Sequence, residues 1–231
     1  MLSQKLGIYN QTDKIYGYDR EKIPTAEQMK EYRQMCEKAI LSGDETSISA
    51  FESEYDVFTK VFEEDGKKGV KDAVGGMLVP ALFDGIACTF TDFFRGLAIP
   101  VVKGGKMALV SPDGQGTMLS DFEYENIYFS EGYYYLIKDG KQGLACLSGN
   151  IIVPAQMDKV NMPFNDLVSF EKDGKYGFAM MDMGVITDPV YDDSDMDSDN
   201  YLEVVKDGVK GYIDEEGNFT ANKDERFFST L

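Results

Sequence analysis

The feature that most constrains this chain is a short glycine-bearing pentad that occurs five times. DGKKG at 65–69, GGKMA at 104–108, DGKQG at 139–143, DGKYG at 173–177 and DGVKG at 207–211 begin 39, 35, 34 and 34 residues apart. So regular a period marks tandem structural units, each too small to bury an apolar face alone. Every pentad opens on Asp-Gly or Gly-Gly between two partly apolar runs. A two-residue type I′ turn needs positive φ at both central positions, and those dipeptides supply it, so each pentad predicts a β-hairpin.

The flanks repeat as well. Three residues before each pentad stand Phe62, Val101, Leu136, Phe170 and Val204. Five before stand Lys60, Ile99, Tyr134, Val168 and Leu202, apolar in four copies, while Val70, Leu109, Leu144, Phe178 and Tyr212 follow. Apolar residues two apart, with a mixed position between, are what a half-buried strand requires. A second glycine, at 76, 114, 149, 184 and 217, marks another turn before the short runs MLVP, TMLS, IIVP, VITDP and NFT. Pro80, Pro154 and Pro189 end those runs or confine them to a sheet edge, because proline donates nothing to a ladder. Asp84-Gly-Ile86, Glu125-Asn-Ile127 and Asp158-Lys-Val160 then lead into the next copy. Each unit thus holds three strands, or four short ones. The predicted fold class is mainly β: tandem antiparallel β-hairpin repeats, stacked as an open superhelical array or closed like a propeller.

The N-terminal part differs. Thr25 and Gln28 have capping-box spacing, and Met29, Tyr32, Cys36, Ala39 and Ile40 form one helical stripe that Ser42-Gly43 closes. Ile48, Phe51, Tyr55 and Phe58 define a second helix. Ile8, Tyr9, Ile15, Tyr16 and Tyr18 suggest a short hairpin before them. Residues 1–60 are therefore read as a small α-helical capping region at one end of the repeats, with Phe227 and Phe228 closing the other.

The repeat resembles the WG repeat family of bacterial proteins, whose unit has the form D-G-K-W-G-F-I-D-x-x-G-x-x-V-I-P-x-x-Y-D. The nearest matches are DGKYGFAMMDMGVITDPVYD (173–192), DGKQGLACLSGNIIVPAQMD (139–158) and DGVKGYIDEEGNF (207–219). On this resemblance residues 61–231 comprise five WG-like β repeats, at about 57–90, 91–130, 131–164, 165–198 and 199–231. The family tryptophan is replaced by Lys68, Met107, Gln142, Tyr176 and Lys210, and the chain has no Trp. Either other side chains fill the space of the indole or a ligand platform has gone. The resemblance implies a repeat scaffold, with no catalytic residues to carry over.

Charge and composition narrow the role. The 231 residues carry 23 basic and 41 acidic side chains, a net −18, which repels nucleic-acid backbones and anionic membranes. No histidine is present, so Ser-His-Asp, Cys-His and His-metal chemistry is excluded. Cys36, Cys88 and Cys146 have neither disulfide nor zinc spacing. No apolar run has the length of a signal peptide or a membrane span, which makes cytoplasmic the expected location.

Asp193, Asp195, Asp197 and Asp199 alternate in DDSDMDSDN (192–200), like the front of a calcium loop. Ser198 and Val204 then stand where an EF-hand needs glycine and glutamate, so the run reads as a solvated connection between the fourth and fifth units. Lys103, Lys138, Lys172 and Lys206 precede the turns, and Lys67, Lys106, Lys141 and Lys175 sit within them. They read as lysines that solubilise hairpin tips, or as an anion-binding stripe. In the consecutive Tyr133, Tyr134 and Tyr135 at least one ring must face away from the core. The expectation is a non-enzymatic scaffold for protein–protein interaction, without catalytic, cofactor-binding or metal-binding residues. The alternative is a carbohydrate-binding or carbohydrate-active surface, built on exposed tyrosines and a carboxylate pair.

Overall fold

The structure is a computed structural model that describes residues 24–42, 46–55, 57, 59–87, 97–130, 132–163, 167–181, 184–196, 202–214 and 217–221. Two helices, α1 (Ala26–Ser42) and α2 (Thr46–Glu54), precede the strands. In chain order these are β1 (Thr59–Glu64), β2 (Lys67–Asp72), β3 (Met77–Phe83), β4 (Gly85–Ile86), β5 (Ile99–Lys103), β6 (Lys106–Val110), β7 (Asn126–Ser130), β8 (Tyr133–Lys138) and β9 (Lys141–Ala145). Then follow β10 (Ile151–Met157), β11 (Lys159–Val160), β12 (Leu167–Lys172), β13 (Lys175–Met180), β14 (Gly184–Tyr191), β15 (Asp193–Met196), β16 (Leu202–Lys206), β17 (Val209–Ile213) and β18 (Phe219–Thr220). The chain divides into two compact units, Met1–Phe129 with Leu147–Asn150, and Ser130–Cys146 with Ile151–Leu231.

All five pentads form the predicted hairpins. Asp65, Asp139, Asp173 and Asp207 have φ of 51–53°, the glycine after each has φ of 72–77°, and Gly104-Gly105 does the same work at 61° and 78°. Strands on either side pair antiparallel across two-residue loops, as Glu64 with Lys67 and Lys172 with Lys175. Aspartate tolerates the left-handed region better than most side chains, which is why this dipeptide serves four times.

The result is five small antiparallel sheets of three or four strands, none closed into a barrel among the described residues. In the first unit β1-β2-β3 and β4-β5-β6 are separate sheets; in the second, β11-β12-β13-β14 and β15-β16-β17-β18 follow a sheet in which β8, β9 and β10 are neighbours. Each later sheet opens on a short strand contributed by the end of the preceding copy, so sequence copies and sheets are offset by one strand.

The third strands run through their prolines instead of stopping there. β3 and β10 are edge strands of seven residues and β14 an edge strand of eight, so the edge alternative holds. Ladder partners jump from Val70–Val79 to Lys68–Phe83, from Leu144–Val153 to Gln142–Met157, and from Phe178–Thr187 to Tyr176–Tyr191. The proline lies inside each of these bulges, where its missing N–H costs no ladder bond. The second copy lacks a continuous third strand; isolated bridges Val110–Met118 and Met107–Tyr124 replace it.

One glycine of the second turn needs correction. Gly75, with φ of 87°, is the counterpart of Gly114, Gly149, Gly184 and Gly217, all left-handed. Gly76 lacks positive φ, and a Cβ there would meet the Asp72 carboxylate at 2.5 Å and Arg33 at 2.7 Å.

The core lies between consecutive sheets, as incomplete repeats demand. Val70, Val79 and Phe83 pack with Ile99, Val101, Ala108 and Val110; Leu144, Val153 and Met157 pack with Val160, Val168, Phe170 and Ala179. Leu167, Phe178 and Tyr191 pack with Leu202, Val204 and Ile213.

At the N-terminal end, Thr25 N–H donates to Gln28 Oε1 (2.8 Å) and Gln28 N–H to Thr25 Oγ1 (3.3 Å), completing the capping box. Met29, Tyr32, Cys36 and Ala39 are buried with Ile48 and Phe51, and Ala73 of the β2–β3 turn packs against them. Arg33 donates to the Asp72 carboxylate, which also accepts from Val74 N–H (3.1 Å) and Gly76 N–H (2.7 Å). The hairpin expected near residues 8–18, Phe58, the Ile40 side chain and the Phe227–Phe228 closure lie outside the described residues.

Candidate interaction surface

The turn lysines form no free cationic stripe. Lys67 Nζ donates to Asp84 Oδ1 at 2.5 Å, Lys141 pairs with Asp158 and Lys175 with Asp192, and Lys106 reaches Glu125 at 3.7 Å. The other oxygen of each aspartate accepts a backbone N–H from the next hairpin turn: Gly104 on Asp84 (2.8 Å), Asp173 on Asp158 (2.7 Å) and Asp207 on Asp192 (2.9 Å). One carboxylate therefore staples its own turn to the following turn.

Lysine hydrogen bonds first, and these backbone donors with them, hold the Asp84, Asp158 and Asp192 carboxyls below the usual range, while Asp158 raises Lys141. Lys103 and Lys172 add positive charge beside Asp84 and Asp158. The fifth copy has Val209 in place of the turn lysine. These acids are the main group that sequence reasoning missed. Asp84, Asp158 and Asp192 each lie 19 residues after the start of their pentad, so the signal was present, but its partners were not legible.

The positions of the missing tryptophan are packing and pairing sites. Lys68, Gln142 and Tyr176 stand opposite Phe83, Met157 and Tyr191 at the foot of the bulge. Gln142 Oε1 accepts from Val160 N–H (2.9 Å), and the Met107 sulfur accepts from Ile127 N–H (3.3 Å), so they meet β11 and β7 respectively. Tyr176 packs with Phe178 and Tyr191, and Lys210 pairs with Glu203 at 2.7 Å.

Other expected features move. Tyr134 and Tyr135 are buried and Tyr133 half-buried, so no exposed tyrosine row arises on β8. Tyr124 is buried too, and burial, with the Glu123 charge second, pushes its phenol up to about 12. Asp193 and Asp195 sit on β15, paired with β16, rather than in a connecting loop; Asp197 and Asp199 lie outside the described residues. Asp192 belongs to a staple. Among the described residues no three Cys, Asp or Glu side chains cluster as metal ligands, and no helix is long and apolar enough to cross a membrane.

Part of the outward-facing apolar surface lies on the third strands, and the rest is scattered over Val74, Tyr128, Met162 and Val209. Met77 and Leu82 on β3, and Met118 and Leu119 in the next copy, are exposed in the first unit. Ile151 on β10, and Val185 and Val190 on β14, are exposed in the second. At Leu82 and Val190 the bulge turns the residue before Phe83 or Tyr191 away from the core, whereas Met77, Ile151 and Val185 stand ahead of the proline.

Comparison with known proteins finds a family match within the repeats. Residues 113–141 and 147–176 match the model of the WG containing repeat. No curated protein matches the sequence. Among solved structures, Kluyveromyces lactis Hsv2p is similar at 15% identity and a TM-score of 0.29, over 72% of this chain and 61% of that one. K. lactis Hsv2 with a complete loop 6CD matches at 13% identity and a TM-score of 0.31, over 68% and 57%. A eukaryotic initiation factor matches at 11% and 0.31, over 73% and 50%. The chain thus spans less than two thirds of the length of these structures.

Proposed function

We propose that this chain, which carries WG-containing repeats, is a non-catalytic scaffold that binds another protein through its third strands. One observation carries the reading. The polar residues that make the repeat regular are committed to holding turn to turn, whereas Met77, Leu82, Ile151, Val185 and Val190 face solvent. Repeated apolar contacts, each weak, add through multivalency rather than through one pocket. A net charge of −18 favours basic partners and disfavours nucleic acid. The carbohydrate alternative has Tyr128 as its exposed tyrosine among the described residues, since Tyr134 and Tyr135 are interior.

Photo-crosslinkers placed singly at Leu82, Ile151 and Val190 test the proposal in the source cells, with Asp139 at a turn tip as control. One protein crosslinked from the strand positions and not from the tip is the expected outcome. Glycan adducts, or equal labelling from the tip, would overturn it.

A further inference from the structure

The first strands of the hairpins are not equivalent. β5, β8, β12 and β16 each lie between an opening strand (β4, β7, β11 or β15) and the second strand of the hairpin. β1 begins its sheet, so among the described residues no strand pairs along its outer edge. The other copies show what such an edge accepts. The carbonyl two residues before the pentad takes an N–H from the stapling aspartate: Val102 O from Asp84 (2.8 Å), Glu171 O from Asp158 (2.8 Å) and Val205 O from Asp192 (2.7 Å). Two residues further back, Pro100 O accepts from Ala87 N–H (2.8 Å) and Ser169 O from Asn161 N–H (2.9 Å). The matching carbonyls of β1 belong to Glu63 and Val61. Burial differs in the same sense. Val101, Leu136, Phe170 and Val204 are 0–1% exposed. Phe62, at their position on β1, is half-buried, with the Lys71 ammonium 4.2 Å from its ring centroid. Thr59 is buried, so the accessible part of the edge is its turn end, Val61 to Glu64.

Charge is inverted at that end. The later copies read Val102-Lys103-Gly104, Ile137-Lys138-Asp139, Glu171-Lys172-Asp173 and Val205-Lys206-Asp207, whereas the first reads Glu63-Glu64-Asp65. Lys103 and Lys172 lie beside the stapling Asp84 and Asp158, and Glu64 stands in their place. Across the ladder Lys67 and Lys68 face Glu64 and Glu63, but Lys67 is paired with Asp84. A strand laid on this edge therefore needs a base where the others carry an aspartate. The 19-residue step that leads from a pentad to Asp84, Asp158 or Asp192 leads from the last pentad to Arg226, followed by Phe227 and Phe228. These three lie outside the described residues.

We propose that Arg226-Phe227-Phe228 of a second copy adds to β1 as its missing opening strand, joining copies head to tail. Strand addition draws affinity from backbone hydrogen bonds and selectivity from alternate side chains. In the register of Ile86 on Val101 and Val160 on Phe170, Phe228 falls opposite Phe62, Phe227 opposite Glu63, and Arg226 opposite Glu64. The aromatic pair then covers the ring that is half-buried in one copy alone. Edge and segment belong to the first and last repeats, so the contact joins unlike surfaces.

No third strand takes part, so this contact stands or falls apart from the function proposed above. The test uses the full chain in about 0.15 M salt, where net repulsion is screened. Sedimentation velocity shows mass rising with concentration, and amide exchange over residues 59–64 slows in step. Arg226→Glu weakens association by about tenfold or more. Glu64→Arg does the same although it lowers the net negative charge, and the two together, with the charge of the parent, restore association. Tighter association by Glu64→Arg would show that net charge alone governs. A double variant as weak as the single ones would show that the two side chains do not meet. Mass and exchange that ignore concentration would show that β1 stays open or is covered within one molecule. Each of these results would overturn the proposal. Circular dichroism melts check folding. If Glu64→Arg does not fold, Arg226→Glu decides: unchanged exchange over residues 59–64 would sink the contact.

Discussion

At the scale of single residues, the last position of the pentad shows why glycine recurs. Gly143 has ordinary φ, so its role is space rather than conformation. A Cβ there would lie 2.6 Å from Ala155 N and 2.7 Å from Val153 O, because the bulged third strand closes over it. Gly69 is crowded in the same way by Val79 O and Ala81 N, and Gly177 by Phe170 and Pro189. Both obstacles at Gly143 are backbone and cannot swing aside. Gly143→Ala is therefore expected to cost about 1–3 kcal/mol, read as a fall in the urea midpoint at constant slope. The second copy carries Ala108 at this place and tolerates it, since isolated bridges replace the bulged strand. Ala108→Gly should accordingly cost no more than about 1 kcal/mol, the usual entropy of an added glycine. A Gly143→Ala protein with an unchanged midpoint would mean that the bulge moves freely.

At the scale of elements, coupling between neighbours is polar at the surface and apolar inside. The staples consist of exposed side chains, so each Lys–Asp pair adds little alone, but they repeat and so act on the acid limit together. Asp84, Asp158 and Asp192 have depressed carboxyl pKa values when folded. Their contribution is complete above the unfolded carboxyl pKa of about 3.9 and disappears as pH falls through the lowered folded values. Lys141 runs the other way: raised when folded, it stabilises below its unfolded pKa and loses that as pH rises through the folded value. Asp84→Asn with Asp158→Asn and Asp192→Asn should flatten the acid limb of a thermal-stability profile and leave its shape near neutral pH unchanged. An acid limb as steep as that of the parent would discount the staples. The helix-to-hairpin tie is different, because the Asp72 side chain is wholly buried and Arg33 is partly exposed. Arg33→Met should cost about 1.5–3 kcal/mol, the range for hydrogen bonds to charged groups, and speed amide exchange in the β2–β3 turn.

At the scale of the whole molecule, net charge opposes compactness. With 41 acids against 23 bases, self-repulsion outweighs a handful of exposed, solvent-screened ion pairs. Both interactions are screened by salt, with a Debye length of about 8 Å at physiological strength. Because repulsion is the larger and longer-ranged, raising sodium chloride from low to physiological concentration is expected to raise the melting temperature. A fall would show that the attractive pairs dominate. The same net charge opposes close approach of one copy's exposed apolar strands to another's.

The sequence by itself determined the repeat, its hairpin turns, the capping box of α1 and the apolar face of both helices. Each of these depends on residues a few positions apart: two adjacent residues of positive φ, or side chains three and four apart on a helix. Only the tertiary structure decided the rest. The bulge brings Val153 and Ala155 over Gly143, and the start of the following sheet brings Asp173 N–H to Asp158. It also decided that Tyr134 and Tyr135 turn inward while Leu82 and Met118 stay outside, although both pairs are large and apolar. Which of two such faces is covered depends on what the neighbouring strand and loop bring to it. No local pattern encodes that contact.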